Sequence, residues 1–331
     1  MKASTILVTG GAGYIGSHVV LALRDAGREV VVLDDLSTGR RDAVPADVTL
    51  VEGSVGDAGL VAEVIERHKV GAVMHFAGSI VVPESVVKPL DYYRNNTINA
   101  QTLLEACLSR GVDQFIFSST AAVYGAPETQ PIAEDTPLAP INPYGWSKRM
   151  FEQILADASN AHGLRYVALR YFNVAGADPA GRAGQCSQTA THLIKIASQV
   201  AVGSRPEIAV YGDDYPTQDG TCVRDYVHVT DLAEAHVRAL EHLERGGASR
   251  VFNCGYGRGR SILEVLKAFE EVLGKPLPMR FAPRRAGDPP ELVAAGDRIR
   301  AELGWTPRHE DLRGIVETAM AWERRLLEQV D

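Results

Sequence analysis

Through the first half of the chain, short runs of apolar and β-branched residues alternate with stretches that repeat apolar residues at helical spacing. The runs are TILV (5–8), EVVVLD (29–34), VTLVE (48–52), AVMHF (72–76), QFIFSS (114–119) and YVALRYF (166–172). Runs that are apolar throughout, rather than at every second residue, mark strands covered on both faces, as in a parallel sheet. Between them lie YIGSHVVLALRDAG and NNTINAQTLLEACLSRG, where Gly27 and Gly111 stand at the positions of left-handed helix stops. About six repeats of strand then helix predict an α/β fold with a Rossmann-type doubly wound parallel sheet.

After Asn173 the rhythm changes. Residues 174–188 are rich in Gly, Ala and polar residues and read as a long loop leaving the sheet. Beyond them, SILEVLKAFEEVLG carries a capping box, Ser261 with Glu264, and closes on Gly274. HEDLRGIVETAMAWERRLLEQ reads as a long amphipathic helix. A nucleotide-binding domain over 1–174 and a smaller α/β substrate domain over 175–331 are expected, with an approximate boundary and segments free to interleave.

The 331 residues are 45% hydrophobic, enough for a sizeable core, and carry a net charge of −8. That balance disfavours nucleic acid or an anionic membrane as main partner, since both need a basic face. An anionic ligand must then be held by a few placed arginines. Four cysteines, Cys107, Cys186, Cys222 and Cys254, show no CxxC spacing, so neither a zinc site nor a disulfide framework is indicated. The nine histidines include no HExxH, and His228 and His236 read as helix-surface or core residues. No metal site is expected. The opening MKASTILVTGG is too short in apolar residues for a signal-peptide core and no run approaches a membrane span, so a cytoplasmic protein is expected.

Gly10, Gly13 and Gly16 follow the first strand directly and open the first helix, with Tyr14 and Ile15 inside the turn. A tight turn needs the first glycine, close approach of a pyrophosphate to backbone N–H groups the second, and helix-on-sheet packing the third. A glycine-rich βα turn without a ligand is the plainer alternative. Asp34, 18 residues after Gly16 at the end of the second run, favours the dinucleotide. Its carboxylate accepts from ribose hydroxyls and repels a 2′-phosphate, which selects NAD over NADP, and Asp35 adds a second negative charge.

PYGWSK places Tyr144 and Lys148 one helical turn apart on one face. A neighbouring cation lowers a phenol's pKa toward the range of a useful base. A plain amphipathic pair on a surface helix is the alternative. FIFSSTAAVYG precedes it, with Ser118, Ser119 and Thr120 at the carboxyl edge of the predicted sheet, where open α/β folds bind ligands.

With VTGGAGYIGSH, HFAG, PESV, YYRNNT, LRYFN, YPTQDGTCVRDYVHV, NCGYGRG and FAPRRAGDPPE, these motifs resemble the extended short-chain dehydrogenase/reductase family, and within it the members that epimerise nucleotide sugars. The likeness spans nearly the whole chain. It implies that Tyr144 is the catalytic base, that Lys148 lowers its pKa and holds the nicotinamide ribose, and that Thr120 bonds the sugar 4-oxygen. It also implies a UDP-hexose whose C4 hydride passes to NAD, a 4-keto sugar that turns over about its phosphate linkage, and return of the hydride to the other face. Along the cofactor cleft it places Ser54 and Val55, then Phe76, Ala77 and Gly78, then Asn95, Ser118 and Tyr171; Phe76 equally reads as core. UDP falls to Asn173, His192 and Leu193, to Ala209 and Tyr211, and to Arg224, Arg285 and Asp288. Arginine suits a diphosphate because its planar fork bonds two oxygens at once, although each arginine taken singly also reads as a surface ion pair. A homodimer through helices around 91–109 and 145–160 is implied in the same way.

Four departures from the family pattern bear on ligands. His192 replaces an asparagine, and Leu292 replaces a bulky tyrosine that closes the sugar pocket, leaving room for N-acetylated sugars. Ile80 replaces a lysine that reaches NAD, and Ser54 an aspartate that meets the adenine. Ala121 and Ala122 follow Thr120 where sugar-nucleotide 4,6-dehydratases carry Asp-Glu, and neither alanine moves a proton. A UDP-pentose 4-epimerase is the serious alternative; a non-enzymatic dinucleotide sensor is disfavoured because Tyr144 and Lys148 are both present.

Overall fold

The computed structural model describes residues 5–187, 191–285 and 287–328; the last residue of the expected 174–188 loop and the final three of the chain lie outside these. Six strands of the first half are β1 (Thr5–Thr9), β2 (Val30–Asp34), β3 (Thr49–Glu52), β4 (Val70–His75), β5 (Gln114–Thr120) and β6 (Arg165–Tyr171). All six lie within a residue or two of the apolar runs. The helices between them are α1 (Tyr14–Asp25), α2 (Ala58–His68), α3 (Val82–Val87), α4 (Pro89–Tyr93), α5 (Asn99–Ser109) and α6 (Pro143–His162). Gly27 and Gly111 have φ of 71° and 73°, the left-handed stops the sequence calls for.

The second half contributes β7 (Asn173–Ala175), α7 (Leu193–Ala201), β8 (Ile208–Tyr211), β9 (Val223–His228), α8 (Val229–Glu244), β10 (Arg250–Cys254), β11 (Gly259–Ser261), α9 (Ile262–Leu273), β12 (Met279–Ala282), β13 (Glu291–Leu292), α10 (Asp297–Leu303) and α11 (Leu312–Glu328). The Ser261–Glu264 capping box forms, and Gly274 closes α9 in the left-handed region.

The large sheet has seven strands in the order β10-β6-β5-β4-β1-β2-β3, every pair parallel. The order reverses between β1 and β4, the switch point outside which a doubly wound sheet binds its ligand. Layers of apolar side chains cover both faces: Ile6 and Val8 point into one cluster, Leu7 and Phe117 into the other. This explains why the strands read as continuous apolar runs.

The seventh strand of the large sheet comes from beyond residue 175. β10 pairs with β6 from Arg250↔Val167 to Cys254↔Tyr171, and α8 packs on α1. The apolar VFNC segment extends the edge that β6 would otherwise leave unpaired. The remaining second-half strands form two small sheets, one in which β9 joins β7, β11 and β13, and one pairing β8 with β12.

Candidate active site

The switch point is built around glycines. Gly10 has φ of 70°, and a Cβ there would stand 2.5 Å from the Ala77 nitrogen. A Cβ on Gly16 would stand 2.1 Å from the Gly10 carbonyl oxygen, so α1 could not approach β1 as it does. Gly13 is the N-cap of α1 and supplies no side-chain cap, so no side chain covers the first turn, Tyr14 to Gly16, at the positive end of the helix dipole. Beside it the buried Asp34 carboxylate accepts from the Ala12 and Leu36 amides, each at 2.9 Å. A carboxylate has about four acceptor sites, so two remain for a pair of hydroxyls. Burial, opposed by those two amides, raises the Asp34 pKa from its ordinary value. These residues fit a dinucleotide: an open helix N-terminus for its phosphates and a fixed acceptor for its ribose.

Other residues expected along this cleft are more engaged with the protein itself. The Gly56 amide donates to Ser54 Oγ at 3.1 Å, and Val55 is core. The Phe76 ring lies 4.7 Å from the ring of His236. Asn95 Nδ2 donates to Ser79 Oγ at 3.0 Å, and Ile80 is exposed. The Tyr14 hydroxyl donates to the Gly176 carbonyl at 2.7 Å, joining the glycine turn to the second half of the chain.

At the carboxyl end of β5, Asn142 caps α6 by accepting from the Gly145 amide at 2.9 Å, and Pro143 occupies the first helical turn. Helix α6 thus starts where Tyr144 and Lys148 fall on one buried face. Tyr144 hydrogen-bonds to the Thr120 hydroxyl. The Ala122 amide donates to Thr120 Oγ1 at 3.1 Å, leaving the threonine proton for the phenolic oxygen. Lys148 Nζ donates to the Ser118 carbonyl at 3.0 Å and lies 4.9 Å from the centre of the Phe117 ring. Ser118 Oγ is hydrogen-bonded to the Tyr171 hydroxyl.

Burial and hydrogen bonding act in opposite directions on the phenol. The sequence reading has Lys148 lowering the pKa of Tyr144. In the structure burial raises the phenol above its ordinary value, and the hydrogen bond from Thr120 is what opposes that rise. Lys148 is itself pushed down to about 8 by burial, against the pull of the Glu152 carboxylate. Its ammonium is tied to the strand rather than to the phenol.

The positions matched to UDP lie in the small sheets, at the start of α7 and in the loop between β12 and β13. β13 pairs with β9 so that Leu292 stands opposite Arg224, and β7 pairs Asn173 with Tyr226 on the same strand. Arg224 faces Asp288 at 3.9 Å, and the Arg285 guanidinium sits 3.8 Å from the centre of the Tyr211 ring. Ala209 neighbours Tyr211 on β8 and pairs with Arg280. His192, half-buried and lowered in pKa by desolvation, occupies the N-cap position of α7 ahead of Leu193, with Nδ1 2.9 Å from the Gln185 side-chain amide nitrogen. Leu292 packs on a cluster containing Ala121, Val123 and Tyr124, from the turn that follows Thr120.

Sequence reasoning missed the support beneath this edge. Glu152, one turn beyond Lys148, is buried against Arg170, with Arg170 Nη2 donating to Glu152 Oε2 at 2.6 Å and Ser119 Oγ to Oε1 at 2.5 Å. Arg170 continues to the Tyr124 hydroxyl at 2.8 Å, which donates to Asn253 at 2.7 Å. The legible signal was spacing: Tyr144, Lys148 and Glu152 repeat every fourth residue on one helix face.

A family model for the NAD dependent epimerase/dehydratase family matches residues 6–255. The chain belongs to that family. This epimerase/dehydratase chain is 65% identical over 325 residues to the UDP-glucose 4-epimerase of Azospirillum brasilense, covering 98% of the chain and 93% of the relative. A crystal structure of the UDP-glucose 4-epimerase from Brucella ovis in complex with NAD is similar at a TM-score of 0.94 and 47% identity, covering 96% of this chain and 98% of that one. The UDP-Glc/GlcNAc 4-epimerase from Campylobacter jejuni is similar at a TM-score of 0.85 and 46% identity, covering 98% of this chain and 100% of that one. Among the described residues, no helix is long and apolar enough to cross a membrane.

Proposed function

We infer that this protein is an isomerase that interconverts UDP-glucose and UDP-galactose by NAD-dependent epimerisation at C4. The observation that carries the reading is a buried phenol hydrogen-bonded to a threonine at the carboxyl edge of β5, within a chain 65% identical to a UDP-glucose 4-epimerase.

NAD, held by the first turn of α1, Asp34 and Lys148, would supply the hydride acceptor for C4 of the sugar and, after the 4-keto sugar has turned over, the hydride donor to its other face. Tyr144 accepts the O4 proton as the carbonyl forms and gives it back as the carbonyl is reduced, so the enzyme ends each turnover unchanged. Thr120 hydrogen-bonds the same phenolic oxygen and stabilises its anion. Lys148, with one N–H on the Ser118 carbonyl, keeps two donors for the nicotinamide ribose. Asp34 holds the adenosine ribose, and the first turn of α1 the pyrophosphate. Arg224 and Arg285 meet the diphosphate of the substrate, Asp288 orients Arg224, and Asn173, His192, Leu193, Ala209 and Tyr211 surround the rest of UDP. Purified protein given UDP-galactose without added NAD is expected to yield UDP-glucose on chromatography; a product one water lighter, or none, would refute the reading.

Leu292 supports a second substrate class. At the position the resemblance assigns to the sugar pocket it carries a branched aliphatic side chain, not a phenol, packed on the cluster of Ala121, Val123 and Tyr124, which leaves room for an acetamido group on C2. N-acetylhexosamines linked to UDP are therefore substrates too.

The protein pairs with a second copy through the α3–α6 layer. Ile98 and Met150, on segments that pack together, are 57% and 42% exposed, and both fall in the stretches that the resemblance assigns to a dimer. Sedimentation equilibrium at twice the chain mass is expected, with Ile98→Glu shifting it to one chain; a wild type that sediments as one chain would refute the pairing.

A further inference from the structure

Two consecutive asparagines close on a single residue of the loop after β4. They lie in a π-turn, Arg94–Ile98, between α4 and α5. Successive residues of an α-helix point about 100° apart, so two neighbours seldom reach one target; a π-turn inserts the extra residue that lets them, and such turns are frequent at functional sites. Asn95 holds the Ser79 hydroxyl. Asn96 accepts from the Ser79 amide at 2.7 Å and donates to the Ser79 carbonyl at 2.9 Å.

Asn96 also reaches the catalytic helix. Its Nδ2 donates to Ser147 Oγ at 3.0 Å, and Ser147 Oγ donates to the Tyr144 carbonyl at 2.7 Å. Thr97 Oγ1 donates to the Ser147 carbonyl at 3.1 Å, so Ser147 is gripped through side chain and backbone by neighbouring residues. Asn96 and Ser147 are 1% and 0% exposed. A Cβ added to Gly78 would stand 2.9 Å from Asn96 Oδ1 and 3.6 Å from Lys148 Nζ, so the loop runs between the amide and the ammonium. The first turn of a helix is its least constrained part, because its N–H groups lack intrahelical partners. A phenol carried there needs outside support to hold a reacting geometry within a fraction of an ångström.

Resting on the assignment of Tyr144 as the proton-transfer group, we propose that Asn96 and Ser147 are positioning residues that fix the Tyr144–Lys148 turn of α6 against the Gly78–Ser79 loop and so set the phenol on Thr120. They act through the backbones of residues 79, 144 and 147. A role confined to satisfying buried polar groups changes stability and leaves the kinetics alone; a positioning role moves kcat and its pH dependence.

The test measures kcat and KM for UDP-galactose across pH in Ser147→Ala, beside wild type and Tyr144→Phe. Alanine favours the helix and leaves Asn96 both bonds to Ser79, so the fold is retained. We expect kcat to fall about tenfold or more, since small misplacements are costly to a near-attack geometry, with KM within about twofold. The acid limb of the profile should move to higher pH, because a displaced phenol loses its bond from Thr120. Asn96→Ala should act in the same direction, and the double variant should be no worse than Asn96→Ala alone, since both lie on one path. If Asn96→Ala does not fold, Ser147→Ala decides alone. A Ser147→Ala enzyme with wild-type kcat and pH profile, whatever its melting temperature, would overturn the proposal. An active Tyr144→Phe would instead remove the assignment beneath it.

Discussion

The Tyr144 phenol is hydrogen-bonded to the Thr120 hydroxyl, whose own oxygen is held by the Ala122 amide at 3.1 Å. That contact is what opposes the rise in the phenol's pKa imposed by burial. Thr120→Val removes it at nearly constant volume. The variant should lose about a hundredfold to a thousandfold in kcat, the range seen when one donor to a developing anion is removed, and its acid limb should move to higher pH. Thr120→Ser keeps the hydroxyl and should stay within a few-fold of wild type, in steady-state assays over a pH series.

Lys148 makes a prediction in the alkaline range. Burial holds its pKa at about 8, below the ordinary 10.5. Above about pH 8 the ammonium is lost, and activity that depends on it should decline. For stability the sign is the reverse: between those two values the unfolded chain binds the proton and the folded one does not, so folding gains as pH rises. The unfolding free energy of wild type, measured against Lys148→Met by urea titration, should increase from pH 8 toward pH 10.5 and be level below pH 8.

The sheet was legible because strands buried on both faces must be apolar throughout, and Ile6, Val32 and Phe117 show that burial. Gly10, Gly16 and Asp34 were legible because backbone crowding and ribose chemistry each admit few residue types. Other features depend on contacts far apart in sequence. Arg250–Cys254 is short and is recruited by the open edge of β6, which no local pattern announces. The rise in the Tyr144 pKa comes from how completely the site is enclosed, and spacing to a lysine carries no information on that. Glu152 and Asn96 are ordinary helix residues in sequence; their roles arise from Arg170 on a neighbouring strand and from an irregular turn.

Glu152 and Arg170 should be a strong structural pair with an asymmetric response. Their side chains are 7% and 5% exposed, and the carboxylate also receives Ser119. Glu152→Gln leaves the guanidinium uncompensated and should cost about 3 kcal/mol in urea-induced unfolding, whereas replacing both by apolar residues of similar size should cost much less. Equal losses in the two variants would refute this reading.

Leu292→Tyr should separate the two substrate classes. A phenol packed on the cluster of Ala121 and Tyr124 narrows the space that the resemblance assigns to the sugar. Turnover of UDP-N-acetylgalactosamine should fall at least about tenfold, while UDP-galactose changes little, because overpacking penalises the larger ligand. Comparable losses on both would place the acetamido group elsewhere.

The role of Tyr144 rests on one comparison. Tyr144→Phe keeps the ring and the packing and removes only the oxygen that takes the O4 proton. With circular dichroism and NAD content unchanged, its conversion of UDP-galactose to UDP-glucose should fall by about a hundredfold to ten-thousandfold, the span of general acid–base catalysis. A phenylalanine variant that turns over at the wild-type rate would contradict proton transfer by this phenol.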